Sequence, residues 1–341
     1  MTLIFITTSG LVIGILFGFA LQRGRFCMNS AFRDPLLFKD FTLLKAVGLA
    51  IAVELVGFYI LNIFGLIELN PKSLYILAVP VGAYIFGIGM VVAGGCASGT
   101  AYRVGEGMIG SWLALLGFTG AAYLVKDGFL SDLVLKIQSY NFGPLTLSSV
   151  SGLSELIFVF LFGGLLFWLL FRKNKSNDQN FDTQTKSVGA IKNIFKKSWS
   201  WQKVGLIIGL IGVLAFILSS FSGRNYPLGI TMGFETIVKS IIHRENFLTW
   251  ESFEVIGLII GAFLGAFFAN EFKFRFPKPK VVLQSLIGGS LMGFGAIIAG
   301  GCNIGHILSG VPQLAISSIL ASIFIILGGW TMAYFLFIKN N

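Results

Sequence analysis

Three cysteines are the residues best suited to chemistry in this 341-residue chain, and two of them lie in closely related stretches. These stretches are Gly94-Gly95-Cys96 and Gly300-Gly301-Cys302. Each follows a long apolar run without a charge. Glycine permits left-handed backbone and close approach of other groups, and successive free N–H groups in a glycine turn can bind anions. A polar break of this kind, seen twice, predicts a site inside a membrane.

The third cysteine, Cys27, follows Arg23-Gly24-Arg25-Phe26, so all three thiols lie in predicted turns. An odd number excludes a complete disulfide framework. A free cysteine is often only a small buried hydrophobic residue, but the repeated placement favours function. Thiolates suit soft metal ions. Neutral thiols instead offer weak S–H donors to an anion that carries its own sulfur, and weak serial sites suit conduction.

Charged residues near these turns are further candidates. Arg25 and Arg224 lie near opposite predicted mouths, where each attracts an anion or anchors the chain at the interface. Glu54 lies near the middle of its predicted span, where ionisable residues are costly, and Glu254 matches it in an internal repeat. We expect both glutamates to pair with an arginine or to accept N–H bonds from a turn, rather than to couple protons.

Three polar residues within the glycine turns complete the set of candidates. His306 stands where the other copy has Thr100, and it is either a weak substrate ligand or a hydrogen-bonded turn residue. Ser98 and Asn303 are expected to orient their turns.

Composition places the chain in a membrane. It is 55% apolar and 12% charged, with a mean hydropathy of +0.84, whereas about a quarter of a soluble domain is charged. The net charge of +10 comes from loops between apolar runs, so topology explains it better than nucleic-acid binding. No nucleotide loop, carboxylate pair, zinc spacing or nucleophile with a base is evident, and we predict no enzyme activity, cofactor or metal site.

Nine apolar runs approach the roughly 20 residues that a helical span needs. They are 3–22, 43–66, 74–93, 108–125, 152–171, 204–221, 253–271, 282–299 and 312–338. Because the bilayer core offers no water to the backbone, these runs are predicted to be α-helices. The first lacks a basic leader and a cleavage site, which indicates a retained span.

Loop charges predict the orientation. The basic loop at 172–203 belongs in the cytoplasm by the positive-inside rule, which places the N-terminus outside and the C-terminus inside. This orientation puts 19 of the 25 basic residues in inner segments and leaves six outside.

An internal repeat predicts the architecture. Residues 87–96 and 293–302 are identical at six of ten positions, and two shorter matches occur in the same order: Gly24-Arg25 over Gly223-Arg224, and Glu54 over Glu254. Five spans precede the second half, so it is inverted, as in many secondary transporters. We expect a first membrane repeat at 1–171, a linker at 172–203 and a second repeat at 204–341. The stretches 23–34, 94–107, 223–236 and 300–311 are expected to be re-entrant turns lining a central cavity.

The two glycine-cysteine turns and Arg23-Gly24-Arg25-Phe26-Cys27-Met28 resemble those of the YeeE/YedE family of bacterial membrane proteins. This resemblance implies an hourglass-shaped thiosulfate-uptake transporter of the inner membrane, with inverted halves. It also implies that three cysteines, here Cys27, Cys96 and Cys302, line the route and contact the ion through S–H hydrogen bonds. Family members often work with a small cytoplasmic sulfur carrier of the YeeD/TusA type, and some are linked to selenium metabolism.

The leading hypothesis is uptake of thiosulfate or a close sulfur oxyanion. The anion is gathered near Arg224 and Cys302, passed to Cys96, and released past Cys27. One alternative is a membrane thiol redox protein that uses Cys96 and Cys302 as a pair. The other is a transporter of a selenium compound or a soft metal ion.

Overall fold

The computed structural model describes residues 3–171 and 199–339, which form α-helices and loops without a β-strand. The first stretch contains α1 (Leu3–Arg23), α2 (Met28–Phe38), α3 (Thr42–Ile63), α4 (Ala78–Val92), α5 (Ala97–Gly105), α6 (Ile109–Lys126), α7 (Ser131–Ile137), α8 (Leu147–Ser151) and α9 (Glu155–Phe171). The second contains α10 (Trp201–Phe221), α11 (Thr231–His243), α12 (Trp250–Phe268), α13 (Pro279–Ala299) and α14 (Ile316–Ala333). Between α13 and α14 lie a π-helical turn, Ile304–Leu308, and a 3-10 turn, Val311–Gln313, and a second π-helical turn, Tyr334–Ile338, extends α14.

Each of the nine predicted apolar runs forms a helix. Within the two described stretches, eight helical segments are long and apolar enough to cross a membrane. The remaining run forms α9, which has 17 residues. The chain is therefore a multi-pass, all-α membrane protein, as its composition predicts.

Two of the four stretches predicted to be re-entrant turns, 23–34 and 94–107, are breaks between consecutive helices. α1 ends at Arg23 and α2 begins at Met28, while α4 ends at Val92 and α5 begins at Ala97. In each case a short turn is followed by a second, shorter helix. Backbone groups are thereby hydrogen-bonded except at the break itself, which limits the number that must be satisfied inside the bilayer.

Helix packing follows the internal repeat. α1 packs along α12, and their counterparts α10 and α3 pack together in the same way. The pair α6–α13 is likewise matched by the pair α14–α4. The predicted repeat is therefore visible in the tertiary structure.

Counterpart helices run in opposite directions, as an inverted repeat requires. α4 contacts its own counterpart α13 antiparallel, because Gly82 lies against Ala299 while Gly89, further along α4, lies against Met292. The symmetry of an inverted repeat explains this contact, because it exchanges the two halves and reverses the direction of their helices. Of the linker expected at 172–203, residues 172–198 lie outside the described residues, and Trp201 already belongs to α10.

Glycines let the two halves approach closely. A Cβ at Gly14 or Gly18 of α1 would lie only 2.1 or 1.9 Å from a carbonyl oxygen of α12, that of Glu254 or Leu258. Small residues at helix contacts are the usual means of close packing between membrane helices. The first helix of one half therefore packs directly against the second long helix of the other.

Candidate functional site

A cavity of about 640 Å³ opens beside Cys302. It is formed by segments that are distant in sequence: the loop before α4, the end of α6, α7, the turn before α11, and the glycine turn after α13. Its polar and glycine lining includes Asn70, Lys72, Lys126, Gln138, Arg224, Tyr226, Glu251, Gly300, Gly301 and Cys302. The cavity therefore combines one thiol with several cationic side chains, which suits a small anion.

The glycine turn at Cys302 holds an ammonium group. Gly300 adopts a left-handed φ of +80°, and its carbonyl accepts a hydrogen bond of 2.5 Å from Lys72 Nζ. A Cβ at Gly301 would lie 2.1 Å from the same nitrogen, so the second glycine leaves room for the lysine. Burial lowers the pKa of Lys72 to about 8, although the nearby Cys302 and Glu251 oppose this shift.

The glycine turn at Cys96 is built in the same way with a different cation. Gly94 has a φ of +73°, and its carbonyl accepts a hydrogen bond of 2.6 Å from Arg103 Nη1. A Cβ at Gly95 would lie 2.9 Å from that nitrogen. Both turns therefore use the first glycine to end a helix and the second to admit a basic side chain.

Cys27 and Cys96 lie in contact, with their sulfur atoms 3.7 Å apart. The Cys96 sulfur also accepts a hydrogen bond of 3.3 Å from the Gly99 amide and lies 3.4 Å from Ser98 Oγ. A side chain at position 99 would place its Cβ 2.6 Å from the Cys27 sulfur, so the contact requires glycine there. The cavity is lined by Cys302 but by neither of these thiols.

This contact differs from the sequence interpretation, which placed Cys96 between Cys302 and Cys27 as a separate step. The helix break after α1 instead directs Cys27 onto the turn of Cys96. The redox alternative named Cys96 and Cys302 as the pair, whereas the close pair is Cys27 with Cys96. All three cysteines are free and buried, and 3.7 Å far exceeds the ~2.05 Å of a disulfide.

Each thiol lies at the start of a short helix. Cys27 precedes α2, Cys96 precedes α5, and Cys302 lies two residues before the π-helical turn at Ile304. Helix N-termini present unpaired N–H groups and a partial positive charge, which favour anions. Cys27 and Cys96 therefore lie where a helix N-terminus favours negative charge, whereas Cys302 precedes only a five-residue π-helical turn.

Comparison with known proteins identifies the family. A family model described as "Sulphur transport" matches residues 23–331. The chain belongs to the sulphur-transport family. It is 44% identical over 345 residues to the "Thiosulfate transporter TsuA" of Spirochaeta thermophila, a match that covers 96% of this chain and 98% of the relative. It is 34% identical to the "Thiosulfate transporter TsuA" of Escherichia coli, over 97% of this chain and 95% of that relative.

A shorter match joins the chain to the "Probable transporter YedE" of Escherichia coli, which is 34% identical over 28% of this chain and 24% of that protein. The resemblance to the YeeE/YedE family, inferred from the cysteine motifs, is thus confirmed.

The two candidate arginines of this sulphur-transport protein are both paired with carboxylates. Arg25 contacts Glu106 and Glu271, each at 2.9 Å, while Arg224 contacts Glu251. Each arginine therefore forms ion pairs with acidic side chains, which favours the predicted role as an anchor. Arg224 also lines the cavity.

The arginines do not occupy equivalent positions, because the two turns are offset by one residue. Arg25 and Gly223 have left-handed φ values of 47° and 87° and donate to the carbonyls of Gln22 and Ser220, three residues earlier. The structural counterpart of Arg25 is therefore Gly223, and the sequence match had paired it with Arg224.

The candidate glutamates lie at matched places. The carboxylate of Glu54 lies against Gly212 of α10, whereas Glu254 faces Gly14 of α1 with its backbone carbonyl. The amide of Gly229 approaches the Glu254 carboxylate at 3.2 and 3.3 Å, the expected contact with a re-entrant turn. Both oxygens of Glu54 are buried without a hydrogen-bond partner in the described part of the chain.

The geometry favours a structural role for His306. Its ring nitrogens lie 3.1 Å from Ser318 Oγ and 3.1 Å from the Ala299 carbonyl. The imidazole is buried, and it is absent from the described lining of the cavity.

Asn303 connects the two halves of the site. Its side-chain amide lies 2.9 Å from the sulfur of Met28, so the residue after Cys302 touches the residue after Cys27. Its oxygen, and both polar atoms of the Asn29 side chain, are buried without partners among the described residues. Three of the seven buried, unpartnered polar side-chain atoms among the described residues therefore belong to asparagines that closely follow Cys27 or Cys302 in sequence.

Sequence reasoning missed Lys72, Lys126, Arg103, Glu251 and Tyr226. The sequence did contain one signal for the lysines, because the predicted topology left only six basic residues on the outer side of the membrane. Three of those six, Lys72, Lys126 and Arg224, line the cavity.

Tyr226 was harder to find. Its hydroxyl donates to the Gly305 carbonyl at 2.6 Å, and the repeat aligns Gly305 with Gly99, the glycine against which Cys27 lies. The second repeat thus carries a tyrosine beside its glycine turn, where the first repeat carries a second thiol.

Metal binding was the other alternative drawn from the thiols. Within residues 3–171 and 199–339, the structure contains no group of three or more His, Cys, Asp or Glu side chains placed to hold a metal ion.

Proposed function

We propose that this protein takes up thiosulfate across the inner membrane of a bacterium, as a transporter and not as an enzyme. The observation that carries the proposal is the outer cavity, where the glycine turn that contains the Cys302 thiol accepts a hydrogen bond from the Lys72 ammonium. Thiosulfate is a dianion with a terminal sulfur, so it matches a cation placed beside a weak S–H donor. The names of the two full-length relatives support the same substrate.

The route begins on the outer side, at Cys302. The anion leaves the cavity past Asn303, whose contact with Met28 joins the Cys302 turn to the Cys27 turn. It then reaches Cys27 and Cys96, which act as one binding site because their sulfur atoms are 3.7 Å apart. Each binding site has a basic side chain beside it, which is Lys72 at Cys302 and Arg103 at the pair of Cys27 and Cys96.

The direction of this route follows from the loop charges. The basic loops, including 172–203, face the cytoplasm, so the N-terminus and the Cys302 cavity face outward. Thiosulfate released beyond Cys27 enters the cytoplasm near Arg25, where a sulfur carrier of the TusA type receives it.

Substitution of each cysteine tests the proposal. Cys27→Ala, Cys96→Ala and Cys302→Ala should each reduce thiosulfate uptake into proteoliposomes to background, because each removes an S–H donor from a serial path. Thermal unfolding in detergent should show that the variants remain folded. Ser131→Ala, which changes the cavity wall without touching a thiol, serves as the matched control. Full uptake by Cys96→Ala would refute the relay.

Competition tests the choice of substrate. Excess unlabelled thiosulfate should block uptake, whereas sulfate, which lacks the terminal sulfur, should compete weakly. A selenium oxyanion or a copper(I) complex that is transported in preference to thiosulfate would establish the alternative cargo.

A thiol redox function is the second candidate, favoured by the contact between Cys27 and Cys96. Two thiols this close can form a disulfide with a small movement. Titration of free thiols with and without a mild oxidant separates the two functions. Uptake that persists with all three thiols reduced supports transport, while uptake that requires a cycle of oxidation supports the redox reading.

A further inference from the structure

The outer cavity contains an acidic residue that the proposed thiosulfate route does not use. Lys126, at the end of α6, lines the cavity, and its ammonium lies 3.1 Å from the carboxylate of Glu235 on α11. The Glu235 side chain is fully buried, whereas the Lys126 side chain is 34% exposed. The lysine can therefore face the cavity while the glutamate cannot reach solvent.

Only one of the two carboxylate oxygens of Glu235 takes part in this contact. Its second oxygen is buried and accepts no hydrogen bond from any described residue. One turn earlier on α11, the hydroxyl of Thr231 is also buried without a described partner, and Thr231 lines the same cavity. A buried carboxylate with a single donor is costly in its charged form and gains from binding a proton.

The surrounding charges strengthen this tendency. From α6 and the residue after it, Lys126 and Asp127 face Glu235, and the neighbouring Asp127 carboxylate disfavours a second negative charge there. Lys239, on the next turn of α11, is 2.7 Å from Asp127 and is paired with it. From α12, which packs against α11, Glu251 is already paired with Arg224.

Two adjacent carboxylates therefore share the available ammonium groups. Neighbouring carboxylates repel each other when both are ionised, so a proton on one of them is favoured and the two groups titrate as a pair. Burial, together with the neighbouring Asp127 carboxyl group, raises the pKa of Glu235 to about 7. Helix α11 lies outside the eight segments long enough to span the membrane, on the side where the cavity opens.

We propose that Glu235 and Lys126 form a proton-controlled anion site in the wall of the outer cavity. When Glu235 is ionised, it holds the Lys126 ammonium. A proton on Glu235 neutralises the carboxylate and leaves the ammonium free to bind an incoming anion. Anion and proton therefore bind at the outer cavity together, and each increases the affinity for the other.

Binding of a proton together with the anion lowers the electrostatic cost of inward movement. An anion that moves inward is opposed by a membrane potential that is negative inside. A proton that binds with it reduces the net negative charge carried into the cavity. The inference uses the proposed function only for the choice of thiosulfate as the probe.

Calorimetry on the purified full-length protein tests the proposal. Thiosulfate binding should weaken between pH 6.0 and 7.5, approaching tenfold per pH unit once the pH exceeds the pKa of Glu235. Titrations in buffers with different ionisation enthalpies should show proton uptake on binding, at most one per anion. This range lies below the pKa of about 8 for Lys72, so that lysine contributes little.

Four variants make the test specific. Glu235→Gln, which mimics the protonated state, should bind thiosulfate at pH 7.5 about as tightly as the unmodified protein does at pH 6.0, without proton uptake. Glu235→Asp keeps a titratable group and should keep the pH dependence. Lys126→Gln should bind weakly at every pH. Glu245→Gln, which neutralises an exposed glutamate in the loop after α11, is the matched control and should change nothing.

Two results would overturn the inference in distinguishable ways. Thiosulfate binding by Glu235→Gln with unchanged pH dependence and proton uptake would exclude Glu235 as the proton site while leaving the proposed function intact. Absence of thiosulfate binding by the unmodified protein at every pH would overturn the proposed function together with this inference.

Discussion

Lys72 and Arg103 serve equivalent glycine turns although they come from unrelated parts of the chain. Arg103 follows its turn by nine residues, whereas Lys72 lies 228 residues from the glycine it contacts. The thiols and glycines of these turns were predictable because they form a local motif that occurs twice. The cations were not, because the repeat does not match them.

Lys72 should make uptake depend on pH above neutrality. Its pKa of about 8 lies below the usual lysine value, so the ammonium is charged below pH 8 and loses its proton as the pH rises through that value. Thiosulfate uptake should therefore decline across pH 8. In Lys72→Arg, which remains charged, initial-rate measurements should show that this decline is lost.

Removal of the Lys72 charge tests its binding role. Lys72→Gln should raise the apparent KM for thiosulfate about tenfold to a hundredfold, since a hydrogen bond to a charged group contributes about 1.5–3 kcal/mol. Lys136→Gln, which removes an exposed lysine from α7, is the control. An unchanged KM in Lys72→Gln would place the anion elsewhere in the cavity.

Glycine contacts between helices decide how the two halves fit. Hydropathy predicted where the long helices lie, and the polar stretches marked where they break. The partners of each helix could not be predicted, since most of these helices are apolar on all sides and show no single buried face. The close approaches of Gly14 and Gly18 to α12 identify the partner of α1.

Substitution of one such glycine should weaken the packing between the two halves and lower the stability of the protein. Gly18→Val places branched carbons where a Cβ already lies 1.9 Å from the Leu258 carbonyl, and overpacking typically costs about 1–3 kcal/mol. Thermal unfolding in detergent should therefore begin at a lower temperature than in the unmodified protein. Gly120→Val is the matched control, because nothing lies within 4 Å of a Cβ there. Equal effects of both substitutions would argue against close packing at Gly18.

The molecule as a whole has inverted helices but an asymmetric set of side chains. The first repeat places two thiols in contact at its glycine turn, while the second repeat places a thiol and the Tyr226 hydroxyl near the equivalent turn. The two glycine turns therefore differ in side-chain chemistry. Cys302 lines the described cavity, whereas Cys27 and Cys96 do not.

The predicted orientation can be measured directly. In a cysteine-free background, Ser139→Cys in the loop after α7 should react with a membrane-impermeant maleimide in intact cells. Phe276→Cys, in the loop between α12 and α13, should react only after permeabilisation. Both positions are exposed, so accessibility depends on the side of the membrane. The reverse labelling pattern would invert the topology and place the Cys302 cavity in the cytoplasm.

Local properties of the sequence determined the membrane class, the nine apolar helices, the helix breaks, the inverted repeat and the three thiols. Hydropathy and glycine-rich motifs act within one segment, so each can be recognised without knowing its neighbours. Only the tertiary structure decided that Cys27 touches Cys96, that Lys72 reaches the Cys302 turn, and that Lys126 pairs with Glu235. These contacts join side chains from separate helices, and their geometry depends on how closely the glycine faces let those helices approach.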